Sequence, residues 1–197
     1  MKNAIYSAAA VLTLAAAPVA HAQSTDHGFT GPFVGVQGGW EENSVRNPSN
    51  AITTTPLTRS GDTGTLGVIM GYDKEVAPRI VVGGQAELNF PVDSRFGNGL
   101  ASITPKRSVD VSLRAGYLVT PKTLVYARGG YSNGLYGSDV GAIHTSTDRD
   151  GWLLGGGVER KLTQKVSARV EYRYTDYSEG NGKFDRHQVL LGVAYRF

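Results

Sequence analysis

The chain has 197 residues, with 20 lysines and arginines, 17 aspartates and glutamates, and no cysteine. Because no thiol is present, disulfides and thiolate metal sites are excluded. The small positive surplus forms no basic stripe, which excludes a nucleic-acid-binding surface. Glycine is abundant, with 26 residues, but it belongs to no collagen-like repeat. The glycines fall inside alternating segments, where they suit a curved sheet.

The N-terminus has the features of a secretory signal. Lys2 precedes an alanine-rich apolar run from Ala4 to Ala17, and Ala20-His21-Ala22 forms an A-x-A cleavage site. The run is too short and too weakly apolar for a membrane-spanning helix, which needs about 20 predominantly apolar residues. We predict a signal peptide over residues 1–22 and a single exported domain over residues 23–197.

Eight later segments alternate apolar with small or polar residues, the period of a β-strand. In the fourth segment, for example, Val109, Val111 and Leu113 face away from Asp110 and Ser112. No hydrophobic run after the signal is long enough for a helix to span a membrane, so a membrane location would require a closed barrel. In chain order the predicted strands are Pro32–Glu42, Thr63–Lys74, Arg79–Phe90, Val109–Val119, Thr123–Tyr136, Gly151–Lys161, Lys165–Thr175 and His187–Phe197.

The predicted connections alternate in length. Long polar loops are expected over residues 43–62, 91–107, 137–150 and 176–185, and short turns are expected between them. Outer-membrane barrels have this pattern, with short periplasmic turns and long external loops. The sequence therefore predicts an all-β fold, an eight-stranded antiparallel transmembrane β-barrel with up-and-down meander topology.

Aromatic residues on the apolar face fall near the strand ends. Such residues form interfacial girdles, in which amphipathic rings lie at headgroup level. The predicted external girdle is Trp40, Phe90, Tyr131, Trp152 and Tyr174, and the periplasmic girdle is Tyr72, Tyr117, Tyr195 and Phe197.

The opposite, inward face carries many charged residues, which argues against a soluble barrel with an apolar cavity. Buried charges are tolerated when they pair, because an unpaired buried ion costs several kcal/mol. An eight-stranded barrel also leaves room only for side chains. We therefore predict a salt-bridged lumen formed by Glu87, Asp110, Arg114, Arg128, Glu159, Arg169, Glu171, Arg173 and Arg196.

The last strand ends in the sequence G-V-A-Y-R-F. Gly192, Tyr195 and Phe197 resemble the terminal signal that outer-membrane barrels present to the barrel-assembly machinery. Together with the segment V-E-Y-R-Y-T-D-Y-S-E-G, which begins at Val170, this pattern resembles the small outer-membrane barrel family. That family includes the opacity proteins, the OmpA membrane domain and the porin-like surface antigens.

The resemblance implies an integral protein of the outer membrane of a Gram-negative bacterium, in contact with the lipid bilayer and lipopolysaccharide. It implies a structural and surface-interaction role, with a host or surface ligand reached through external loops. Unlike in full-length OmpA, no peptidoglycan-binding domain is expected after the barrel. A narrow porin-like channel for small solutes is the main alternative, and a lipid A-modifying enzyme is a weaker one.

Candidate catalytic residues are sparse. His144-Thr145-Ser146 resembles the H-x-S of a lipid A deacylase, but it lies in the third predicted loop, lacks the asparagine expected next, and has only Asp148 or Asp150 as a potential orienting carboxylate. His27, His144 and His187 share no metal-ligand spacing, and no dinucleotide or phosphate motif is present. We therefore expect no catalytic residue, no metal site and no cofactor.

Overall fold

A computed structural model of the chain describes residues 28–47, 57–92, 101–140, 143–177 and 183–197. Side chains are described over residues 28–44, 61–92, 107–135, 149–177 and 184–197. The predicted signal peptide and the tips of the four long connections lie outside the described residues. No helix in the described part of the chain is long and apolar enough to cross a membrane.

The described residues form a closed barrel of eight strands, as the alternation predicts. Each strand pairs antiparallel with the next in sequence, and β1 pairs with β8 to close the sheet, with Phe33 opposite Arg196. The predicted fold class is therefore confirmed. The strands are β1 Gly31–Asn47, β2 Leu57–Ala77, β3 Ile80–Val92, β4 Ala101–Thr120, β5 Thr123–Val140, β6 Ile143–Lys161, β7 Val166–Asp176 and β8 Lys183–Arg196.

Closure explains why the C-terminal strand is so regular. Leu191 and Val193 point outward, while Leu190 and Ala194 are buried inside the barrel. The main-chain N–H of Phe197 donates to the carbonyl oxygen of Pro32 at 3.1 Å. The last strand therefore has paired neighbours on both sides, and neither edge of the described sheet is left open within the barrel wall.

The two ends of the barrel differ. At one end, called here the turn end, the strands are joined by short turns over residues 78–79, 121–122 and 162–165. In the first of these, Arg79 has a φ of 68° and its N–H donates to Oε1 of Glu75 at 3.1 Å. The opposite end, the loop end, carries the long connections.

At the loop end the strands are longer than the sequence predicts. Loops are expected over residues 43–62, 91–107 and 137–150, yet β1 continues to Asn47, β4 begins at Ala101, β5 continues to Val140 and β6 begins at Ile143. The expectation is wrong because these segments are polar on both faces and carry no apolar stripe. These segments continue the hydrogen-bond ladder of the barrel wall, so the strands below them hold them extended although they carry no apolar face.

Candidate functional site

The distribution of polarity in this barrel is inverted relative to a water-soluble protein. Leu113, Leu191 and Val36 on the outer face are 74%, 62% and 61% exposed, whereas Asp110 and Arg173 are 0% exposed. Soluble monomers rarely expose a continuous apolar surface of this kind. The outer face therefore requires an apolar solvent, and the inner face forms a polar core.

All nine aromatic residues predicted as girdles lie on the outer face. Trp40, Phe90, Tyr131 and Trp152 are about half exposed near the loop end, and Tyr174 packs beside Trp152 with ring centroids 5.5 Å apart. At the turn end the rings of Tyr195 and Phe197 pack edge to face, with centroids 5.2 Å apart. The rings therefore define the two boundaries of the apolar band.

Near the turn end, three of the predicted lumen charges form a closed ring with one further carboxylate, Asp73. Arg114 pairs with Asp73 and, at 2.9 Å, with Glu159. Arg196 bridges the same two carboxylates at 2.8 and 3.3 Å. Ser167 also donates to Glu159 at 2.7 Å. Two cations and two anions therefore neutralise each other within this ring.

The other six predicted charges form a second cluster in the middle of the lumen. Arg173 is its centre, pairing with Glu171 at 2.6 Å, Glu87 at 2.8 Å and Asp110 at 3.0 Å. Arg128 also pairs with Glu87 and, at 3.0 Å, with Glu171.

Neutral groups complete this middle cluster. Arg169 lies 3.8 Å from Glu87 and donates to the side-chain oxygens of Gln85 at 2.8 Å and Gln37 at 2.7 Å. The hydroxyl of Tyr126 donates to Glu171 at 2.7 Å. Because residues from β1, β3, β4, β5 and β7 meet in these hydrogen bonds and ion pairs, the cluster crosses the lumen and ties opposite walls together.

Glycines opposite these side chains provide the necessary space. A Cβ placed on Gly157 would lie 2.9 Å from the hydroxyl oxygen of Tyr126. A Cβ on Gly192 would lie 3.1 Å from Nε of Arg169. Gly192 therefore faces the lumen, where it accommodates Arg169, whereas the other two residues of the predicted assembly signal, Tyr195 and Phe197, lie on the outer face.

Phe29, just before β1, closes the lumen at the turn end. Its ring is fully buried against an apolar cluster that includes Val81 and Leu124. Nη1 of Arg196 donates to the carbonyl oxygen of Phe29 at 2.6 Å, and Nζ of Lys161 donates to that of Gly28, also at 2.6 Å. Both cations also lie over the Phe29 ring. Nothing in the sequence periodicity indicates this stopper, because Phe29 precedes the first predicted strand.

The sequence reasoning also missed four buried charges of the interior: Asp73, Glu41, Lys161 and Arg186. Asp73 and Glu41 occupy inward alternating positions near the ends of β2 and β1, and Arg186 precedes the predicted start of the last strand by one residue. Asp73, Glu41 and Lys161 already lie at inward positions of the predicted strands, so a complete list of those positions would have included them, and one more residue on the last strand would have added Arg186. Glu41 accepts hydrogen bonds from Gln188 at 2.9 Å and Asn43 at 3.2 Å.

The structure corrects the position of the candidate catalytic motif. His144 and Ser146 belong to β6, where they pair with Asp139 and Gly137 of β5, rather than to a loop. Their side chains lie outside the described residues. His187 is half-buried on the outer face, with Nδ1 2.7 Å from the Tyr172 hydroxyl. Within the ranges whose side chains are described, no three His, Asp or Glu residues form a group that could hold a metal ion.

An apolar outer band between aromatic girdles, a closed antiparallel wall and a charged interior define a transmembrane β-barrel of the outer-membrane type. The model of the family described as "Outer membrane protein beta-barrel domain" matches residues 7–197. The chain belongs to this family, and its location is the outer membrane.

Similar proteins agree with this assignment. The chain is 31% identical to the 25 kDa outer-membrane immunogenic protein of Brucella ovis over 172 residues, covering 86% of this chain and 77% of that protein. Among solved structures, OprG of Pseudomonas aeruginosa superposes with a TM-score of 0.59 at 16% identity, covering 88% of this chain and 99% of OprG. Ail of Yersinia pestis, solved with the heparin analogue sucrose octasulfate, gives a TM-score of 0.55 at 14% identity, covering 85% and 99%.

The Arg173→Ala substitution should reduce stability by removing the centre of the middle cluster. Glu87, Asp110 and Glu171 would each lose a buried partner, so we expect the free energy of unfolding to fall by about 3 kcal/mol or more. Equilibrium urea unfolding in lipid vesicles, followed by tryptophan fluorescence, measures this change. The control is Lys74→Ala, an exposed lysine near the turn end of β2, which should change stability by no more than about 0.5 kcal/mol. Equal effects of the two substitutions would contradict a stabilising role for the cluster.

Proposed function

We propose that this protein is a non-enzymatic outer-membrane barrel with a structural and surface-interaction role. The observation that carries the proposal is a three-stranded sheet, formed by the ends of β4, β5 and β6, that continues past the barrel at the loop end. Short turns are periplasmic in outer-membrane barrels, so the loop end faces the exterior. The lumen below the sheet is filled with paired charges, so interaction through the outer sheet is favoured over transport.

The register shows where this projecting sheet leaves the barrel wall. β4 pairs with β5 from Ala101 onward, but its pairing with β3 ends at Asn89 opposite Ser108. Similarly, β5 and β6 pair up to Val140 opposite Ile143, whereas β6 meets β7 only from Trp152 onward. Among the described strands, none pairs with the outer edge of β4 over residues 101–107 or with that of β6 over residues 143–151.

Unpaired strand edges are templates for strand addition. Their N–H and C=O groups can bind an extended segment of another protein, and alternate side chains then supply specificity. We therefore propose an extended peptide segment of a surface or host protein as the partner class. Because Ail, which has a similar fold, was solved in complex with a heparin analogue, a sulfated polysaccharide is the competing ligand in the test.

Shortening the projecting hairpin removes the first three residues of the free β6 edge and should weaken this interaction without unfolding the barrel. Gly137 lies opposite Ser146, so residues 138–145 can be replaced by an Asn-Gly turn that suits a two-residue hairpin. Bacteria displaying the unmodified protein should attach to surfaces coated with an extended, strand-forming peptide of alternating valine and threonine at least several-fold better than bacteria displaying the shortened variant. Heat-dependent gel mobility confirms that the variant still forms a barrel.

A matched control identifies the part of the hairpin that acts. Scrambling the order of residues 138–145 keeps the strand edge and the length but changes the side-chain pattern. Attachment by the scrambled variant supports recognition through the main chain. Preferential attachment to heparin-coated surfaces favours the polysaccharide ligand. If cells displaying the protein attach no better than cells lacking it, the surface-interaction role is contradicted.

The channel alternative requires a continuous aqueous path. The two charge clusters and the Phe29 stopper oppose such a path, because they occupy the lumen at successive levels. In a planar-bilayer recording, the refolded protein should therefore show no stable open step. The Arg169→Ala, Arg173→Ala double substitution should increase brief leak events by removing two large side chains from the middle cluster. A large, long-lived conductance of the unmodified protein would establish the channel instead.

We also propose that the C-terminal strand is recognised by the barrel-assembly machinery through Tyr195 and Phe197. Both rings lie on the outer face, and Phe197 is 64% exposed, so they are available to a partner before lipid surrounds them. Gly192 differs, because its inward position already has a packing explanation beside Arg169.

Replacing Phe197 with aspartate should lower the amount of protein inserted into the outer membrane in cells, because the exposed ring is lost. The same variant should still refold in detergent, because Phe197 contributes little to the packed interior. Whole-cell labelling measures the surface yield, and refolding in detergent shows whether a lower yield reflects assembly rather than folding. The control is Val189→Asp, which also places a charge on the outer face of β8 but lies nearer the loop end. It measures how far any charge on this face lowers the surface yield. An unchanged yield of the Phe197→Asp variant would refute the signal.

A further inference from the structure

The outer wall contains a shallow groove across β6, β7, β8 and β1. Its volume is about 500 Å³, and it is open on the side that faces the lipid. Ala168 lies in the middle of the groove, and the larger side chains of Val158, Leu191 and Val193 stand around it. The depression at Ala168, between larger aliphatic side chains, has the shape required to hold an acyl chain.

Arg160 lines the half of this groove nearer the turn end, between Val158 and the exposed Leu162. It is exposed on the outer face of β6, and its neighbours across the sheet are the small residues Thr123 and Ala168. Within the ranges whose side chains are described, the guanidinium of Arg160 has no hydrogen bond, ion pair or ring contact. A guanidinium at the boundary of an apolar surface extends its head toward the polar interface, where an anionic group can bind it.

Two further cations flank this position. The N–H of Lys161 donates to the carbonyl oxygen of Lys122 at 2.9 Å, which holds the β4–β5 turn beside the end of β6. On the other side, Nζ of Lys165 lies 5.8 Å from the ring centroid of Tyr195. Arg160 therefore lines the groove, and Lys122 and Lys165 lie in the two turns adjacent to the end of β6.

We propose that this groove is a binding site for an anionic phospholipid of the periplasmic leaflet. One acyl chain lies over Ala168 between Val158 and Leu191, and the headgroup phosphate accepts hydrogen bonds from Arg160. Lys122 and Lys165 add electrostatic attraction for the negative headgroup. The site therefore matches both parts of the lipid. Its apolar part faces the acyl chain, and its cationic part lies nearer the membrane surface, where the headgroup is.

The same geometry disfavours a second copy of the chain as the occupant. Two barrels inserted in one membrane have the same orientation, so a two-fold axis between them runs along the membrane normal. Pairing through the groove would then bring Arg160 of each copy to the same depth on facing surfaces. Like charges at the edge of an apolar interface repel each other, whereas a phosphate neutralises them.

Native mass spectrometry of the full protein tests the site. The protein is purified from the outer membrane, placed in nanodiscs of equal parts phosphatidylglycerol and phosphatidylcholine, and released with its retained lipids. We expect preferential retention of phosphatidylglycerol. Arg160→Ala should reduce this retention about fivefold, the effect of losing one cation near an anionic surface. Ala168→Phe fills the groove without changing charge and should also reduce retention.

Lys74→Ala is the matched control, because Lys74 is exposed at the turn end of β2 and does not line the groove. It should retain as much phosphatidylglycerol as the unmodified protein. Equal losses of phosphatidylglycerol for Lys74→Ala and Arg160→Ala would mean that any cation at the turn end attracts the lipid, and would overturn the site. Unchanged retention in both Arg160→Ala and Ala168→Phe would also overturn it. A dimer that Ala168→Phe abolishes would assign the groove to a second copy. Heat-dependent mobility verifies folding, and Ala168→Phe decides the question if Arg160→Ala fails to fold.

Discussion

The pairing of buried charges across the lumen is the interaction on which the rest of this structure depends. A barrel in lipid cannot obtain its cohesion from an apolar core, because its apolar side chains already face an apolar solvent. The interior must therefore hold the walls together through polar contacts, and Arg173 does so by joining Glu87, Asp110 and Glu171. Because desolvation makes each unpaired buried charge costly, the interior is stable only when nearly every buried charge has its partner.

This requirement determines much of the remaining sequence. Long arginine side chains can cross the lumen because glycines such as Gly157 and Gly192 leave space on the facing strands. Phe29 covers the turn end of the charged interior and brings its own backbone carbonyl to Arg196. Because paired charges and Phe29 occupy the lumen in the described part of the chain, the two proposals place partners on the external hairpins and on the lipid-facing wall. The proposed surface role and the proposed phospholipid site use these two surfaces.

The outer and inner faces impose opposite demands on each strand, and for that reason the alternation in the sequence was so informative. A shift of one residue would turn Val109 and Val111 inward and place Asp110 in lipid, so the register is strongly specified within the apolar band. Beyond the band both faces of a hairpin meet water, and the constraint disappears. The strand ends at Asn47 and Val140 could not be predicted from polarity for this reason.

The sequence by itself determined the strand number, the inward and outward faces, the girdle residues and the identity of most buried charges. All of these depend on local alternation, which the bilayer enforces residue by residue. Only the tertiary structure decided which charges pair, because Arg114 meets Asp73 and Glu159 across the barrel from strands distant in sequence. It also decided that Phe29 enters the lumen and that Ala168 and Arg160 line the same groove on the outer wall. These features arise from closure of the sheet, which brings together side chains that no sequence period relates.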